Sequence, residues 1–322
     1  MKDTKLCLVI PCYNEEEVLP ETLARLRRLL DSMIACGAVS KDSKIVCVDD
    51  GSKDRTWQII AREAGQYPCI EGIKLSGNRG HQNALLAGLM TVRTYCDCCI
   101  SIDADLQDDI QVIPKFVQKF DQGIDIVYGV RSRRETDTRF KRLTAKIYYR
   151  ILRMLGADII ENHADFRLMS QRALDALAEF PEVNLFLRGM VKLVGFPSDV
   201  VYYERGQRFA GESKYPLKKM LSFGIDGVSS FSIKPIRMVL GLGMFVCVLA
   251  ILAAVYAFCA KFFGVTVTGW TSLMITIWFL GGVQLVSIGV IGEYVGKIYK
   301  EVKRRPRYII EENTLEKSNQ KP

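Results

Sequence analysis

The sequence predicts an α/β fold, a parallel sheet with helices on both faces, followed by two C-terminal transmembrane helices. Three observations predict it. Over the first 130 residues, short apolar runs alternate with helical patterns, which implies strand and helix in turn. Four of those runs end in a polar loop, "CYNEE", "DDGSKD", "SGNRG" and "DADLQDD". Finally, no charged residue occurs between Arg237 and Lys261, or from Phe262 to Gly292.

The runs come in order. "LCLVIP" precedes a helical stretch over 16–36, "KIVCVDD" one over 54–64, "IEGIKLS" one over 81–94, "CCISIDAD" one over 110–120, and "DIVYGV" closes the series. In such a sheet, ligands collect outside the carboxyl ends of the strands. The four polar loops are therefore expected to face one crevice.

Composition agrees with a chain that buries a core. Of 322 residues 49% are apolar, which excludes a disordered chain and allows one large domain or two ordinary ones. The net charge of +8 suits anionic lipid or phosphorylated substrates, because much of the excess flanks the C-terminal apolar segments. A nucleic-acid partner is set aside, since the first domain lacks basic residues interleaved with aromatics. The N-terminus has no signal-peptide layout and the ten cysteines lack zinc-ligand spacing, so reduced cytosolic thiols are expected.

"MVLGLGMFVCVLAILAAVYAFCA", residues 238–260, is 23 residues long, enough to cross a hydrocarbon core that needs about 20. "GVTVTG" turns the chain into a second span from about Trp270 to Gly292. Lys297, Lys300, Lys303, Arg304, Arg305 and Arg307 follow, so the positive-inside rule puts both ends of the chain in the cytoplasm of a multi-pass plasma-membrane protein. "PLKKMLSFGIDGVSSF" spaces its apolar residues as an interfacial helix would. The expected organisation is a cytosolic domain over 1–215, an interfacial segment over 216–236, a two-helix hairpin over 237–292 and a basic tail over 293–322, polar and frayed from about Glu311. Gly292 and Gly296 form a G-x-x-x-G pair that would bring helices together, leaving a homo-oligomer open.

The densest chemistry lies in "SIDADLQDD" (101–109). In an extended segment Asp103 and Asp105 share a face, so both carboxylates can address one ion, and Gln107 lies on the same alternation. Oxygen ligands of this kind suit Mg²⁺ or Mn²⁺, with remaining positions filled by substrate phosphates. Asp108 and Asp109 precede a helix and read as N-terminal charges that complement its dipole. In "VDDGSKDRT" a carboxylate can accept from a ribose hydroxyl or a base N–H, or it can simply shape a strand-to-helix turn, with Asp54 capping the helix. "LSGNRGHQNALLAGL" carries a glycine loop onto a helix start, where backbone amides can face phosphate. His81 reads as a loop or capping residue rather than a catalyst.

Seven motifs in order, "VIPCYNEEEVL", "VDDGSKDRT", "SGNRGHQNALLAGL", "DADLQDD", "HADFRLMS", "RFAGESKYPLKKM" and "IGEYVGKIYKEVKRRPRY", resemble the polyprenyl-phosphate glycosyltransferases of glycosyltransferase family 2, which have the GT-A fold. Bactoprenol glucosyltransferases and dolichyl-phosphate mannose synthases are the nearest groups, and the resemblance covers roughly residues 5–310. It implies a nucleotide site at Pro11, Tyr13, Asn14 and Glu15 with Asp49 or Asp50, and a metal on the donor diphosphate at Asp103, Asp105 and Gln107. Asp105 and Asp165 match the catalytic positions, Asp165 positioning acceptor or sugar. Arg131 or Arg133, with Arg205, Ser213 and Lys214, match the groups that receive the lipid phosphate.

The reaction implied is transfer of a hexose from a nucleotide sugar, UDP-glucose being the favoured donor, to undecaprenyl phosphate with inversion at the anomeric carbon. N-acetylglucosamine or another sugar on the same lipid is the alternative. A processive polysaccharide synthase would carry a Q-x-x-R-W motif and more spans, and neither is present. A non-catalytic membrane scaffold would have no need of Asp103, Asp105 and Gln107 together.

Overall fold

The computed structural model describes residues 3–132, 163–183, 185–204, 234–262 and 269–315. The chain divides into two compact units. One takes in residues 1–145, 159–215 and 305–322, and the other residues 146–158 and 216–304.

The first unit is built on an eight-stranded sheet. Its elements in chain order are β1 (Leu6–Cys12), α1 (Leu19–Ala35), β2 (Lys44–Asp49), α2 (Thr56–Gln66), β3 (Ile70–Leu75), α3 (His81–Val92), β4 (Cys98–Ser101), a 3₁₀ turn (Ile110–Val112), α4 (Ile113–Asp121), β5 (Ile126–Arg131), β6 (His163–Ser170), α5 (Gln171–Ala178), α6 (Leu187–Leu193), β7 (Ser198–Tyr203) and β8 (Ile310–Asn313). The strands run β7-β5-β6-β4-β1-β2-β3-β8 across the sheet. All seven residues of β1 are buried, as a continuous apolar run requires when both faces of a central strand are covered.

Helix α1 buries Leu19, Leu23, Leu26, Leu30 and Met33, spaced three or four apart so that one stripe meets the sheet. Each leucine removed from water in this way contributes about 1.5–3 kcal/mol. Helix α3 lies closer still. A methyl added at Gly88 would stand 2.4 Å from Val9 Cγ1 and 2.7 Å from Val48 Cγ2, so the missing side chain lets α3 settle onto β1 and β2.

The crevice opens where β1 outruns β4. Their pairing ends at Val9 and Ser101, while β1 pairs β2 as far as Cys12 and Asp49. Val9 O still accepts from Ile102 N on the β4 side, and Cys12 O accepts from Asp50 N on the β2 side. By that alternation, the amide that Pro11 lacks lies on the β4 side, beyond the last β4 pairing, so no ladder bond is lost.

Two features depart from the sequence reading. The sheet is mixed, because β6 is antiparallel to both β4 and β5 and β8 is antiparallel to β3. The polar residues of "HADFRLMS" mask a strand whose Asp165 and Arg167 are nonetheless buried. The expected frayed tail instead begins with β8. Lys74 pairs with Glu311 at 2.9 Å, the Thr314 hydroxyl donates to Glu71 Oε2 at 2.5 Å and accepts from Gly72 N at 2.8 Å, and Leu315 is buried. A polar strand suits this place, since it covers a sheet edge that would otherwise expose unpaired backbone.

In the second unit the described elements are α7 (Lys234–Phe262) and α8 (Trp270–Lys303), of 29 and 34 residues, hence roughly 44 and 51 Å long. Their apolar side chains are exposed, among them Leu240, Phe245, Tyr256, Leu285 and Ile288. Among the described residues one stretch, Phe279–Lys303 in α8, is long and apolar enough to cross a membrane, and α7 contributes a shorter apolar run, Ile236–Val246. Of the expected interfacial segment over 216–236, residues 216–233 lie outside the described residues, and 234–236 open α7.

Candidate active site

The loops after β1 and β2 are stitched together. Asn14 N donates to Ser52 Oγ at 3.0 Å, and Asn14 Oδ1 accepts from Lys53 N at 2.9 Å. Glu15 N donates to Thr56 Oγ1 at 2.9 Å and Glu16 N to Asp54 Oδ2 at 3.1 Å. Asn14 has a positive φ of 53°, a conformation unusual outside glycine but tolerated by Asn. The side chain of Tyr13 remains exposed.

Asp49 and Asp50 are both buried. Asp49 accepts from Ser52 N, and its carboxyl is pushed up by burial despite that bond. Asp50 accepts from Arg79 N at 2.6 Å and Gly80 N at 2.9 Å, so it gathers the glycine loop ahead of α3. Gly51 makes the approach possible. Its φ is +66°, and a methyl there would stand 2.6 Å from Gly77 C. Asp54 accepts from Thr56 N at the start of α2, but it stands one residue ahead of the N-cap position, which is Arg55, so it is not the cap expected.

The acidic loop is a turn and not an extended segment. β4 ends at Ser101, Leu106 has φ +55°, and Asp105 Oδ1 accepts from Gln107 N at 3.1 Å. The alternation argument for Asp103 and Asp105 therefore fails, although Asp103 still feels the charge of Asp105. Thr22 of α1 holds it by donating to Ala104 O at 2.7 Å. Asp109 accepts from Gln111 N at 2.9 Å as the expected cap. Asp108 departs from the reading. It is buried, and its Oδ1 accepts from the Tyr203 hydroxyl at 2.5 Å and from Arg131 Nη2 at 3.1 Å.

Asp165 is the hub of the site. Arg167 Nη2 donates to its Oδ1 at 2.9 Å, while Arg188 donates from Nε to Oδ1 and from Nη2 to Oδ2, both at 3.2 Å. His81 Nε2 lies 3.4 Å from Asp165 Oδ2 and 3.7 Å from Asp103 Oδ1. Burial alone would push the Asp165 carboxyl up, but Arg188, the hydrogen bond from His81 and Arg167 outweigh it and hold it well below the ordinary range. The same surroundings act differently on Asp103. Burial pushes it up to about 6 against the opposing charge of His81, with Asp165, Asp108 and Asp105 adding to the rise. His81 is raised, since its bond to Asp165 and the charge of Asp103 overcome desolvation. It is the first residue of α3 rather than a loop or cap position, and its side chain reaches the Asp165 cluster.

Crowded carboxylates on one loop fit a divalent cation. Among the described residues no three His, Cys, Asp or Glu side chains gather closely enough to hold a metal by themselves. The expected set of Asp103, Asp105 and Gln107 offers only two carboxylates, so an ion held there would have to take its remaining ligands from water and substrate phosphate.

Of the basic groups expected at a lipid phosphate, Arg131 is engaged by Asp108 and by the Tyr203 hydroxyl, at 3.2 Å from its Nε. Arg133, Arg205, Ser213 and Lys214 lie outside the described residues. The sequence reading missed Gln82, Arg167, Arg188 and Tyr203. Gln82 Oε1 accepts from Leu187 N at 2.9 Å, fixing the start of α6 and with it Arg188. The adjacent polar pair His81-Gln82 at a helix start was the available signal. The described cysteines are free thiols, and burial pushes those of β4 upward.

A carboxylate-lined crevice at the carboxyl ends of a mixed, Rossmann-like sheet defines a transferase domain of the GT-A type. The chain belongs to glycosyl transferase family 2, whose model matches residues 7–178, and a second model, the GtrB C-terminal hairpin, matches residues 234–298. It is a glycosyltransferase. Among its relatives, the uncharacterized glycosyltransferase YkoT of Bacillus subtilis is 55% identical, over 95% of this chain and 91% of that one. The SfII prophage-derived bactoprenol glucosyl transferase of Shigella flexneri is 40% identical, over 96% of this chain and 98% of that one. Among solved structures, the glucosyl-3-phosphoglycerate synthase of Mycobacterium tuberculosis in complex with Mn²⁺, UDP and phosphoglyceric acid is 16% identical, with a TM-score of 0.44 over 70% of this chain and 76% of that one.

Proposed function

We propose that this glycosyltransferase moves a hexose, glucose from UDP-glucose, onto the phosphate of undecaprenol or a similar polyprenol, inverting the anomeric centre. The observation that supports the reading is that the acidic turn adjoins the Asp165 cluster, His81 Nε2 lying 3.4 Å from Asp165 Oδ2 and 3.7 Å from Asp103 Oδ1. The name of the Shigella relative, at 40% identity over nearly the whole chain, supports the lipid acceptor and the sugar.

Asp103, Asp105 and Gln107 would hold Mg²⁺ or Mn²⁺, which when bound supplies charge stabilisation to the leaving diphosphate. Pro11, Tyr13, Asn14 and Glu15 form the nucleotide wall, with Asp49 and Asp50 holding the loops that shape it. A phosphate acceptor is already anionic at neutral pH, so it needs no strong base. Asp165, held ionised by its cationic neighbours, orients acceptor or sugar and stabilises positive charge developing on the sugar ring. Arg131 or Arg133, with Arg205, Ser213 and Lys214, would receive the lipid phosphate, and Arg131 is held by Asp108 and the Tyr203 hydroxyl.

Both α7 and α8 cross the plasma membrane as a hairpin, with the catalytic unit and both termini cytoplasmic. Their length, their exposed apolar side chains and the basic cluster from Lys297 to Arg307 support that reading. Gly292 and Gly296 offer a helix-packing face for a homo-oligomer.

The test is transfer of radiolabel from a panel of UDP- and GDP-sugars to undecaprenyl phosphate in membranes, with Mn²⁺ or EDTA, for wild type and Asp105→Ala. Metal-dependent labelling of lipid by UDP-glucose, lost in the variant, is the expected result. Labelling by another donor alone would replace glucose, and none with any donor would sink the reading.

A further inference from the structure

Arg131, the last residue of β5, is clamped along one edge. Its partner across the parallel ladder is Tyr203 of β7, whose hydroxyl accepts from Arg131 Nε at 3.2 Å and donates to Asp108 Oδ1 at 2.5 Å. Asp108 Oδ1 also accepts from Arg131 Nη2 at 3.1 Å. A hydroxyl has one hydrogen to give and the carboxylate takes it, so every contact in this closed trio pairs a donor with an acceptor. Tyr203 is itself set from behind. Its ring meets Phe166 edge-on, and Gly129 keeps room for it, since a methyl there would stand 3.1 Å from Tyr203 Cε1. Its carbonyl accepts from Ser132 N at 2.8 Å, which ties the ends of β5 and β7 together.

Stability alone does not account for the trio. Asp108 Oδ2 is buried with no partner among the described residues, and a partly satisfied buried ion pair is no stronger than well-packed apolar residues of the same size. What the trio supplies is direction. The held nitrogens, Nε and Nη2, form one edge of the planar guanidinium. Nη1 meets no acceptor among the described residues, so Nη1 and the second hydrogen of Nη2 remain as a fork on the other edge. The Arg131 side chain is 27% exposed against 1% for Asp108, and Tyr203 is buried, so the arginine is the member of the trio that solvent reaches.

We infer that Asp108 and Tyr203 are positioning residues for the acceptor phosphate, holding one edge of Arg131 so that its remaining fork meets two phosphate oxygens. The inference rests on the proposed transfer to a lipid phosphate and deepens it. Asp108, though next to Gln107, then serves the acceptor and not the cation. A fork fixed in advance binds more tightly than a mobile one because less side-chain freedom is lost on binding.

The experiment measures binding of farnesyl phosphate, and separately of UDP with Mn²⁺, to the full-length protein in detergent. The variants are Tyr203→Phe, Asp108→Asn, Arg131→Lys and the double variant of Tyr203→Phe with Arg131→Lys, which keeps a cation beside Asp108. Each single variant should weaken farnesyl phosphate about threefold or more, with UDP affinity within about twofold of wild type. Adding Tyr203→Phe to Arg131→Lys should cost less than about twofold more, because Tyr203 acts through the arginine fork. Additive losses in the double variant overturn the inference, as does farnesyl phosphate affinity unchanged in Tyr203→Phe. So does a loss of UDP binding as large as that of farnesyl phosphate, which would mark a merely structural trio or return Asp108 to the cation. Wild type that binds no farnesyl phosphate overturns it too. Wild type that binds farnesyl phosphate, with the expected losses in the variants, yet transfers no sugar to lipid would sink the proposed function and leave this assignment standing.

Discussion

The Tyr203 hydroxyl donates to Asp108 at 2.5 Å, joining the end of β7 to the acidic turn, while its ring packs edge-on against Phe166 with centroids 5.4 Å apart. The other oxygen of Asp108 is buried without a partner among the described residues. Tyr203→Phe keeps the ring and removes the hydroxyl. A hydrogen bond to a buried charged acceptor is worth about 1.5–3 kcal/mol, so the variant should unfold at lower denaturant. A midpoint equal to wild type would show that the bond contributes nothing.

The Asp103 carboxyl, at about 6, gives a pH dependence of definite sign. Its folded pKa lies above the ordinary value near 4, so the folded state holds the proton more tightly. In EDTA, stability from this group is full below about pH 4 and declines as pH rises through 6. Asp165, depressed, acts oppositely: its contribution is full above about pH 4 and falls only in stronger acid. Asp103→Asn should therefore melt higher than wild type at pH 7.5 without metal, with the difference shrinking by pH 5. Divalent-cation affinity of wild type should fall as pH drops through 6. A pH-independent difference between the two proteins would refute the assignment.

Gly51→Ala places a methyl against the backbone of Gly77 at a φ of +66°. Strain at such a site costs about 1–3 kcal/mol, and the loops after β2 and β3 must part to relieve it. Weaker UDP binding together with a lower melting temperature is expected in calorimetry. An unchanged UDP affinity would mean that these loops do not shape the nucleotide wall.

Thr314→Val keeps the shape of the residue that closes β8 and deletes its bonds to Glu71 and Gly72. Glu71 is buried and then retains Lys44, 3.2 Å away. The loss is expected at about 1–3 kcal/mol, with faster proteolysis near Arg305 if the strand detaches. Equal proteolysis rates would show that β8 is held by its backbone pairing alone.

The repeating strands from β1 to β5 were legible because each apolar run is local and buried on both faces. The motif loops were legible for a related reason: they follow those runs directly. β6 escaped because its pattern is that of a site motif, and β8 because a covering edge strand can be polar. Among the candidate site residues, Asp103, Asp105 and Asp165 stood out by motif, Asp165 through the family resemblance alone, while the spacing argument for the first two failed because their segment is a turn. Arg188, Gln82 and Tyr203 did not stand out, since an arginine, a glutamine or a tyrosine on a short helix or strand looks like any other surface residue.

By itself the sequence determined the α/β class, the strand-end loops and the two long apolar segments, all of which follow from periodicity and charge within short windows. Only the tertiary structure decided that Asp165 is shared by Arg167 and Arg188 and lies beside His81, that Asp108 belongs to Tyr203 and Arg131, and that the tail returns to the sheet. These partners stand up to 243 residues apart along the chain. Which charge meets which depends on the order in which strands pair, and strand order is set by packing across the whole sheet.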